Sequence, residues 1–98
     1  MSLADAGTGA PRAATDVTVT VRFFAGAQAA AGTAEEKVVL PAPATVRTLT
    51  RELSGRFGAD LTRVLAAASY LVDELAAPPD RALRDGDRID VLPPFAGG

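Results

Sequence analysis

The chain has 98 residues, enough for one small compact domain and too few for two. Hydrophobic residues make up 48% of it, and ten basic residues are interspersed with twelve acidic ones, giving a net charge of −2. This mixture argues against the dense basic surface that nucleic-acid binding requires. No run approaches the roughly 20 apolar residues of a membrane helix, so we expect a soluble, cytoplasmic protein.

Two residue types that carry much of protein chemistry are missing, because the sequence contains neither Cys nor His. Without Cys there is no disulfide framework, thiolate nucleophile or thiol-ligated zinc site. Without His the commonest general base and the commonest metal ligand are also absent. Most catalytic constellations are therefore excluded.

Residues 1–16 read MSLADAGTGAPRAATD, a mixture of small residues with no apolar period. They lack the charged start and continuous apolar run of a secretory signal. We predict a disordered N-terminal extension over residues 1–16 and a folded domain over residues 17–98.

An alternating pattern predicts the first strand. Val17, Val19, Val21 and Phe23 alternate with polar residues, so the odd-numbered set is expected to face the core. Phe24 breaks the alternation, since it points to the polar side. An Ala-rich link ending in glycine follows the strand.

A second strand is predicted over residues 36–40, where the proline-containing residues 41–43 stop it. Thr45 then caps a helix that ends at Gly58. The apolar stripe of this helix consists of Val46, Leu49, Leu53 and Phe57. A second short helix is expected to begin with Asp60 as its cap, and its apolar stripe consists of Leu61, Val64 and Leu65.

The last third of the chain predicts two more strands, over residues 70–72 and 88–92, with turns at residues 78–79 and 85–87. Ile89 and Val91 should face inward. The order strand, strand, helix, strand, strand predicts an α+β fold with a mixed sheet of four to five strands and one main helix across one face.

Charged residues offer weaker candidates for function. Asp85, Asp87 and Asp90 lack the ligand spacing of a calcium loop, and an Asp-Gly-Asp turn explains them more simply, so no metal site is expected. The helical arginines are typical of a solvated face: Arg47, Arg51, Arg56 and Arg63.

The sequence ends with Pro93, Pro94, Phe95, Ala96, Gly97 and Gly98. Two prolines favour a stiff extended arm, and the two glycines leave a thin tip with a free carboxylate. A frayed terminus is the simplest explanation of a terminal glycine pair taken alone.

The surrounding residues favour a different interpretation. Residues 19–25 (VTVRFFA), the later Gly32 and residues 85–98 (DGDRIDVLPPFAGG) closely resemble the small subunits of molybdopterin synthase. These are a ubiquitin-like sulfur-carrier family of β-grasp fold. Related carriers for thiazole and cysteine synthesis also end in Gly-Gly. One departure is Asp73-Glu74, where the family often has an Asn-containing turn.

The resemblance implies a chemistry for the tip. In this family a separate enzyme adenylates the terminal glycine with ATP, and the adenylate is converted to a thiocarboxylate that donates sulfur to a pterin precursor. Gly98, with Gly97, would be this site, and the chain would bind no cofactor and supply no catalytic residues of its own. The implied partners are the large synthase subunit and the adenylating enzyme, with no nucleic acid or membrane. A ubiquitin-like modifier, with Gly98 joined to a lysine, remains an alternative.

The resemblance also implies a partner surface. In a β-grasp fold the first and closing strands run parallel, which would bring Phe24 and Leu92 together on the outer face. The adjoining tail residues are Pro93, Pro94, Phe95 and Ala96. An exposed apolar patch of this kind usually marks an interface. Alternatively, Phe24 covers a secondary core under the Ala-rich link.

Overall fold

The computed structural model describes residues 16–94 of the chain. The strands in this range are β1 (Asp16–Phe23), β2 (Glu35–Pro41), β3 (Ala44–Thr45), β4 (Ser69–Val72), β5 (Leu75–Ala76), β6 (Ala82–Leu83) and β7 (Arg88–Leu92). The helices are α1 (Ala25–Ala31), α2 (Val46–Phe57) and α3 (Ala59–Ala67).

Five strands form one mixed sheet in the order β2-β1-β7-β4-β5, while β3 and β6 form a separate two-stranded sheet. Strands β1 and β7 are parallel, and the other neighbours in the main sheet are antiparallel. The α+β architecture with a mixed sheet is therefore confirmed. Strand β7 lies in the middle of the sheet, so the chain that follows it leaves from the centre of one sheet end.

A single core lies between the helices and one face of the main sheet, which we call the inner face. The odd-numbered residues of β1 are buried, as predicted, and Ile89 and Val91 of β7 are fully buried beside them. The helices contribute Ala27, Val46, Leu49, Leu53, Leu61 and Leu65 to the same cluster. The opposite face of the sheet, the outer face, carries the even-numbered residues of β1.

Helix α2 begins at the predicted cap. The Thr48 backbone N–H donates to the Thr45 hydroxyl at 3.2 Å, and the Thr45 backbone N–H donates to the Thr48 hydroxyl at 3.1 Å. This reciprocal pair is a capping box that satisfies two backbone donors at the start of the helix. Helix α2 ends at Gly58, as predicted, but with φ 91° and ψ −165° this glycine is extended at positive φ and does not adopt the left-handed helical conformation.

The Ala-rich link after β1 is a helix, α1, which the sequence does not predict. Its C-terminal cap is Gly32, in the left-handed conformation with φ 76°, and the Gly32 N–H donates to the Gln28 carbonyl at 2.9 Å. The helix has seven residues and buries only Ala27, so it leaves no apolar period in the sequence.

The predicted cap of the short helix α3 is wrong. Gly58 occupies the N-cap position, and Asp60 lies inside the first turn, where its carboxylate pairs with Arg63. An acidic side chain in the first turn stabilises a helix through the macrodipole without capping it. The predicted stripe is observed, since Leu61 and Leu65 are buried.

Most of the predicted N-terminal extension lies outside the described residues. Asp16 is the exception, because it is the first residue of β1 and pairs with Pro41 of β2. None of the helices within residues 16–94 has the length and apolar character that crossing a membrane would require.

Candidate functional site

The C-terminal segment leaves the sheet between the end of β1 and the start of β4. Leu92 pairs with Ser69 on one side, and on the other the Phe24 backbone N–H donates to the Val91 carbonyl at 3.3 Å. Pro93 is half-buried and Pro94 is exposed. The remaining predicted site residues lie outside the described range: Phe95, Ala96, Gly97 and Gly98.

Phe24 lies on the outer face, next to this exit. It is 36% exposed, and the Arg22 guanidinium carbon lies 5.4 Å from the centroid of its ring. Strands β1 and β7 pair as far as Phe23 and Val91, and Phe24 and Leu92 are the residues that follow these two in the chain. The structure thus places Phe24 outside the core under α1. We call Phe24, Leu92, Pro93 and Pro94 the exit surface.

An ion pair beside the exit surface was not predicted from the sequence. The Arg22 Nε donates to Asp90 Oδ1 at 2.9 Å, and Nη2 donates to Oδ2 at 3.3 Å. The hydrogen bond to Asp90 raises the pKa of Arg22 above its ordinary value. Both residues lie at outer-face positions of two strands that the resemblance predicts to be parallel. Predicting that they pair also requires the register between β1 and β7, which only the structure defines.

The three acidic residues around the last turn act separately. The Asp85 carboxylate accepts from the Thr18 N–H at 2.7 Å, and the Asp87 carboxylate accepts from the Arg84 N–H at 2.8 Å. Asp90 is the partner of Arg22 on the next strand. The predicted turn is confirmed at Asp85-Gly86. The carboxylates of Asp85 and Asp87 each hold a backbone N–H group in place.

The departure from the family pattern at residues 73–74 is a two-residue hairpin turn between β4 and β5. Asp73 and Glu74 have φ angles of 47° and 73°, as this tight turn requires. The Asp73 carboxylate accepts from the Arg88 N–H at 3.1 Å, and the Asp73 N–H donates to the Arg88 carbonyl at 2.8 Å. Asp73 thus ties the turn to the start of β7.

A groove of about 650 Å³ lies between the start of α2, the end of α3 and the β4–β5 hairpin. Tyr70 lines it and donates its hydroxyl to the Leu65 carbonyl at 2.7 Å. Burial raises the pKa of Tyr70 to about 12. Among residues 16–94, Arg47 is the other ionisable residue of the lining.

Residues 21–98 match the family model described as the ThiS family. The chain belongs to the ThiS family. The matched segment includes the last three residues of β1 and every later strand and helix of the described structure, together with the C-terminal glycines in the sequence, so the resemblance seen in the sequence is confirmed over this segment.

Within the ThiS family, the chain is similar to proteins of molybdopterin synthesis. It is 35% identical over 86 residues to the molybdopterin synthase sulfur carrier subunit of Drosophila yakuba, covering 84% of this chain and 92% of that protein.

Solved structures share the ubiquitin-like fold. Molybdopterin converting factor subunit 1 from Pyrococcus furiosus is 31% identical, with a TM-score of 0.74 over 81% of this chain and 99% of that one. SAMP1 from Haloferax volcanii, a small archaeal modifier protein, is 26% identical, with a TM-score of 0.74 over 83% and 99% of the two chains. A complex of subunits 1 and 2 of molybdopterin-converting factor from Helicobacter pylori contains a chain that is 26% identical, with a TM-score of 0.57 over 84% and 100%.

Proposed function

We propose that this chain is the sulfur-carrier small subunit of molybdopterin synthase and that the Gly98 carboxylate is the group that carries sulfur. The observation that carries the proposal is the placement of the Pro-Pro-Phe-Ala-Gly-Gly sequence directly after β7, the central strand of a ThiS-family fold. Similarity to a Drosophila sulfur carrier subunit and to subunit 1 of the converting factor supports this branch of the family.

The reaction needs activation, because a carboxylate is a poor electrophile. ATP transfers its adenylyl group to a Gly98 oxygen, pyrophosphate leaves, and the carboxylate becomes a mixed anhydride. A sulfur nucleophile then attacks the carbonyl carbon and AMP leaves, which gives the thiocarboxylate. The thiocarboxylate sulfur then bonds to a carbon of the pterin precursor, and an oxygen substituent of that carbon leaves as water. Hydrolysis of the resulting thioester returns the Gly98 carboxylate and leaves the sulfur on the pterin, so the loaded chain is consumed as a cosubstrate.

The residues of the chain fit a donor role and not that of a stand-alone enzyme. His and Cys are absent from the sequence, so any imidazole base or thiolate that the two half-reactions use would come from other proteins. A separate adenylating enzyme would load the sulfur, and the large synthase subunit would hold the pterin. The chain would bind no cofactor of its own, since ATP is used by the adenylating enzyme.

The exit surface suits contact with the large subunit. The Phe24 N–H donates to the Val91 carbonyl and Leu92 is the last residue of β7, so a partner that receives the tip at this exit would also cover both residues. Aromatic and aliphatic anchors at the centre of an interface supply much of the binding energy. The Helicobacter pylori complex of subunits 1 and 2 supports a two-subunit arrangement.

A second candidate is a ubiquitin-like modifier, in which the same activated Gly98 forms an amide with a lysine. The similarity to SAMP1 favours it. A third, a sulfur carrier for thiazole or cysteine synthesis, differs only in the acceptor of the sulfur. All three begin with adenylation of one carboxylate and diverge at the next step.

Intact-protein mass spectrometry after incubation with an adenylating enzyme, ATP and a sulfur source tests the proposal. We expect the mass gain of one sulfur replacing one oxygen at the C-terminus, and loss of that gain when the large subunit and pterin precursor are added. Only lysine conjugates of higher mass would favour the modifier. A chain lacking Gly98 is the matched control, and it should gain no mass.

A further inference from the structure

Arg22 stands out on the outer face because it is a partly open cation next to apolar residues. It lies between Glu35 of β2 and Asp90 of β7 in the strand register. The Asp90 side chain is 7% exposed, whereas that of Arg22 is 38% exposed. The carboxylate is therefore covered by the protein, and the guanidinium keeps a solvent-accessible side.

Asp90 satisfies only some of the hydrogen-bond donors of the Arg22 guanidinium. Asp90 accepts from Nε and Nη2, and within residues 16–94 Asp90 is the only hydrogen-bond acceptor of the Arg22 side chain. A guanidinium has more N–H donors than these two, and Nη1 is among those remaining. Water can satisfy the remaining donors while the face is open, but an apolar partner surface cannot.

A partner surface that covers Phe24 also covers Arg22. The guanidinium carbon is 5.4 Å from the Phe24 ring centroid, so a surface that encloses this ring also excludes water from Arg22. Leaving N–H donors without acceptors at such a contact disfavours binding strongly. A partner that binds through Phe24 must therefore offer an oxygen to Arg22.

We propose that Arg22 is a specificity-determining residue of the exit surface and that the large subunit presents an oxygen acceptor to its guanidinium beside the site that receives Phe24. This inference rests on the proposed function. Asp90 is a positioning residue, because its two hydrogen bonds fix the plane of the guanidinium and so the direction of the remaining donors. A large subunit with an entirely apolar surface at this point would be rejected.

The informative variant is the double substitution Arg22→Leu with Asp90→Ala. Replacing Arg22 alone would leave a buried carboxylate without its partner, whereas replacing both members of an ion pair by apolar residues commonly preserves the fold. Lys37→Leu is the control, since Lys37 is exposed on β2 and its replacement also removes one positive charge.

Binding to the cognate large subunit is measured by titration calorimetry, with melting temperature as the check on folding. We expect the double variant to melt near the wild type and to bind at least about tenfold more weakly, and the Lys37 variant to bind like the wild type. If the double variant binds as tightly as the wild type or more tightly, the proposed role of Arg22 is wrong and the proposed function is unaffected. If the wild type itself does not bind the large subunit, the proposed function fails and this inference fails with it.

Discussion

Phe23 and Phe24 are consecutive in the chain and lie on opposite faces of the main sheet. Phe23 is 2% exposed and its ring meets that of Phe57 edge-on, with centroids 5.7 Å apart. Phe24 is 36% exposed and contacts Arg22. One phenylalanine therefore joins β1 to α2 in the core, and its neighbour remains available at the exit surface.

The pair supplies a matched test of interface against core. Phe24→Ala should leave the melting temperature close to that of the wild type and weaken binding to the large subunit about fivefold or more, as loss of an interface anchor does. Phe23→Ala should lower the free energy of unfolding by about 3–5 kcal/mol, because it leaves a cavity in the core. Thermal denaturation and binding titration measure the two effects. A large loss of stability with unchanged affinity in the Phe24 variant would contradict its assignment to the exit surface.

Leu92 should behave like Phe24, although less sharply because it is half-buried. Leu92→Ala is expected to weaken the large-subunit complex while the protein stays folded, since its neighbours Ile89 and Val91 still hold β7 in the core. Val39→Ala is the control: Val39 is 55% exposed on the outer face but lies on β2, away from the exit. If both variants lose affinity equally, the contact extends over the whole face and is not centred on the exit.

The fold was predictable where apolar period and special residues agree. The alternation in β1 and the Thr45 cap of α2 each identified an element correctly, because each pattern has one structural solution. Helix α1 was missed because it buries a single small side chain, Ala27, and so depends on tertiary contact rather than on a pattern.

The site was predictable only in part for a related reason. Phe24 breaks a local alternation, which is visible in the sequence. The Arg22–Asp90 pair joins residues 68 positions apart, and only the register between β1 and β7 brings them together. A local pattern identifies which residue is unusual, but the fold decides what it contacts.

Tyr70 makes the free energy of unfolding depend on pH in the alkaline range. Burial raises the pKa of its hydroxyl from 10.0 to about 12, so the folded protein favours the neutral form. The resulting stability is fully present below pH 10 and is lost as the pH rises toward 12. Tyr70→Phe should lower the free energy of unfolding by about 1 kcal/mol at neutral pH, because the hydrogen bond to the Leu65 carbonyl is lost. It should also remove the part of the stability loss above pH 10 that is due to this tyrosine. Urea unfolding of both proteins across that range provides the measurement, and parallel curves would show that Tyr70 does not contribute.

Removal of residues 1–15 should have little effect, because they show no apolar period and the truncated chain would begin at the first residue of β1. The expected result is an unchanged melting temperature and unchanged sulfur loading. Extending the truncation through Pro41 would remove β1, α1 and β2 and serves as the unfolded reference. Unfolding of the shorter truncation would mean that the N-terminal residues belong to the domain.

The C-terminal tip provides the most direct test of the carrier chemistry. In the proposed chemistry, adding one residue after Gly98 moves the carboxylate away from the position at which it would react with ATP and then with the pterin. We expect adenylation and sulfur transfer both to be lost, with no change in melting temperature, because Ile89 and Val91 of the core lie well before the tip. Adenylation is followed by pyrophosphate release, and transfer by consumption of the pterin precursor with the large subunit present.

Gly97→Val tests the same tip without moving the carboxylate. A β-branched side chain restricts the backbone and widens a segment that, in the proposed function, enters the active sites of two other proteins, so both half-reactions should slow strongly. Gly26→Ala is the matched control, because Gly26 lies in α1 and a Cβ there would meet nothing within 4 Å. It should load and transfer sulfur normally. Near-normal activity of the extended chain would refute the carrier mechanism. If the extended chain is inactive but Gly97→Val is active, the Gly98 carboxylate remains the reacting group and the steric argument for Gly97 is wrong.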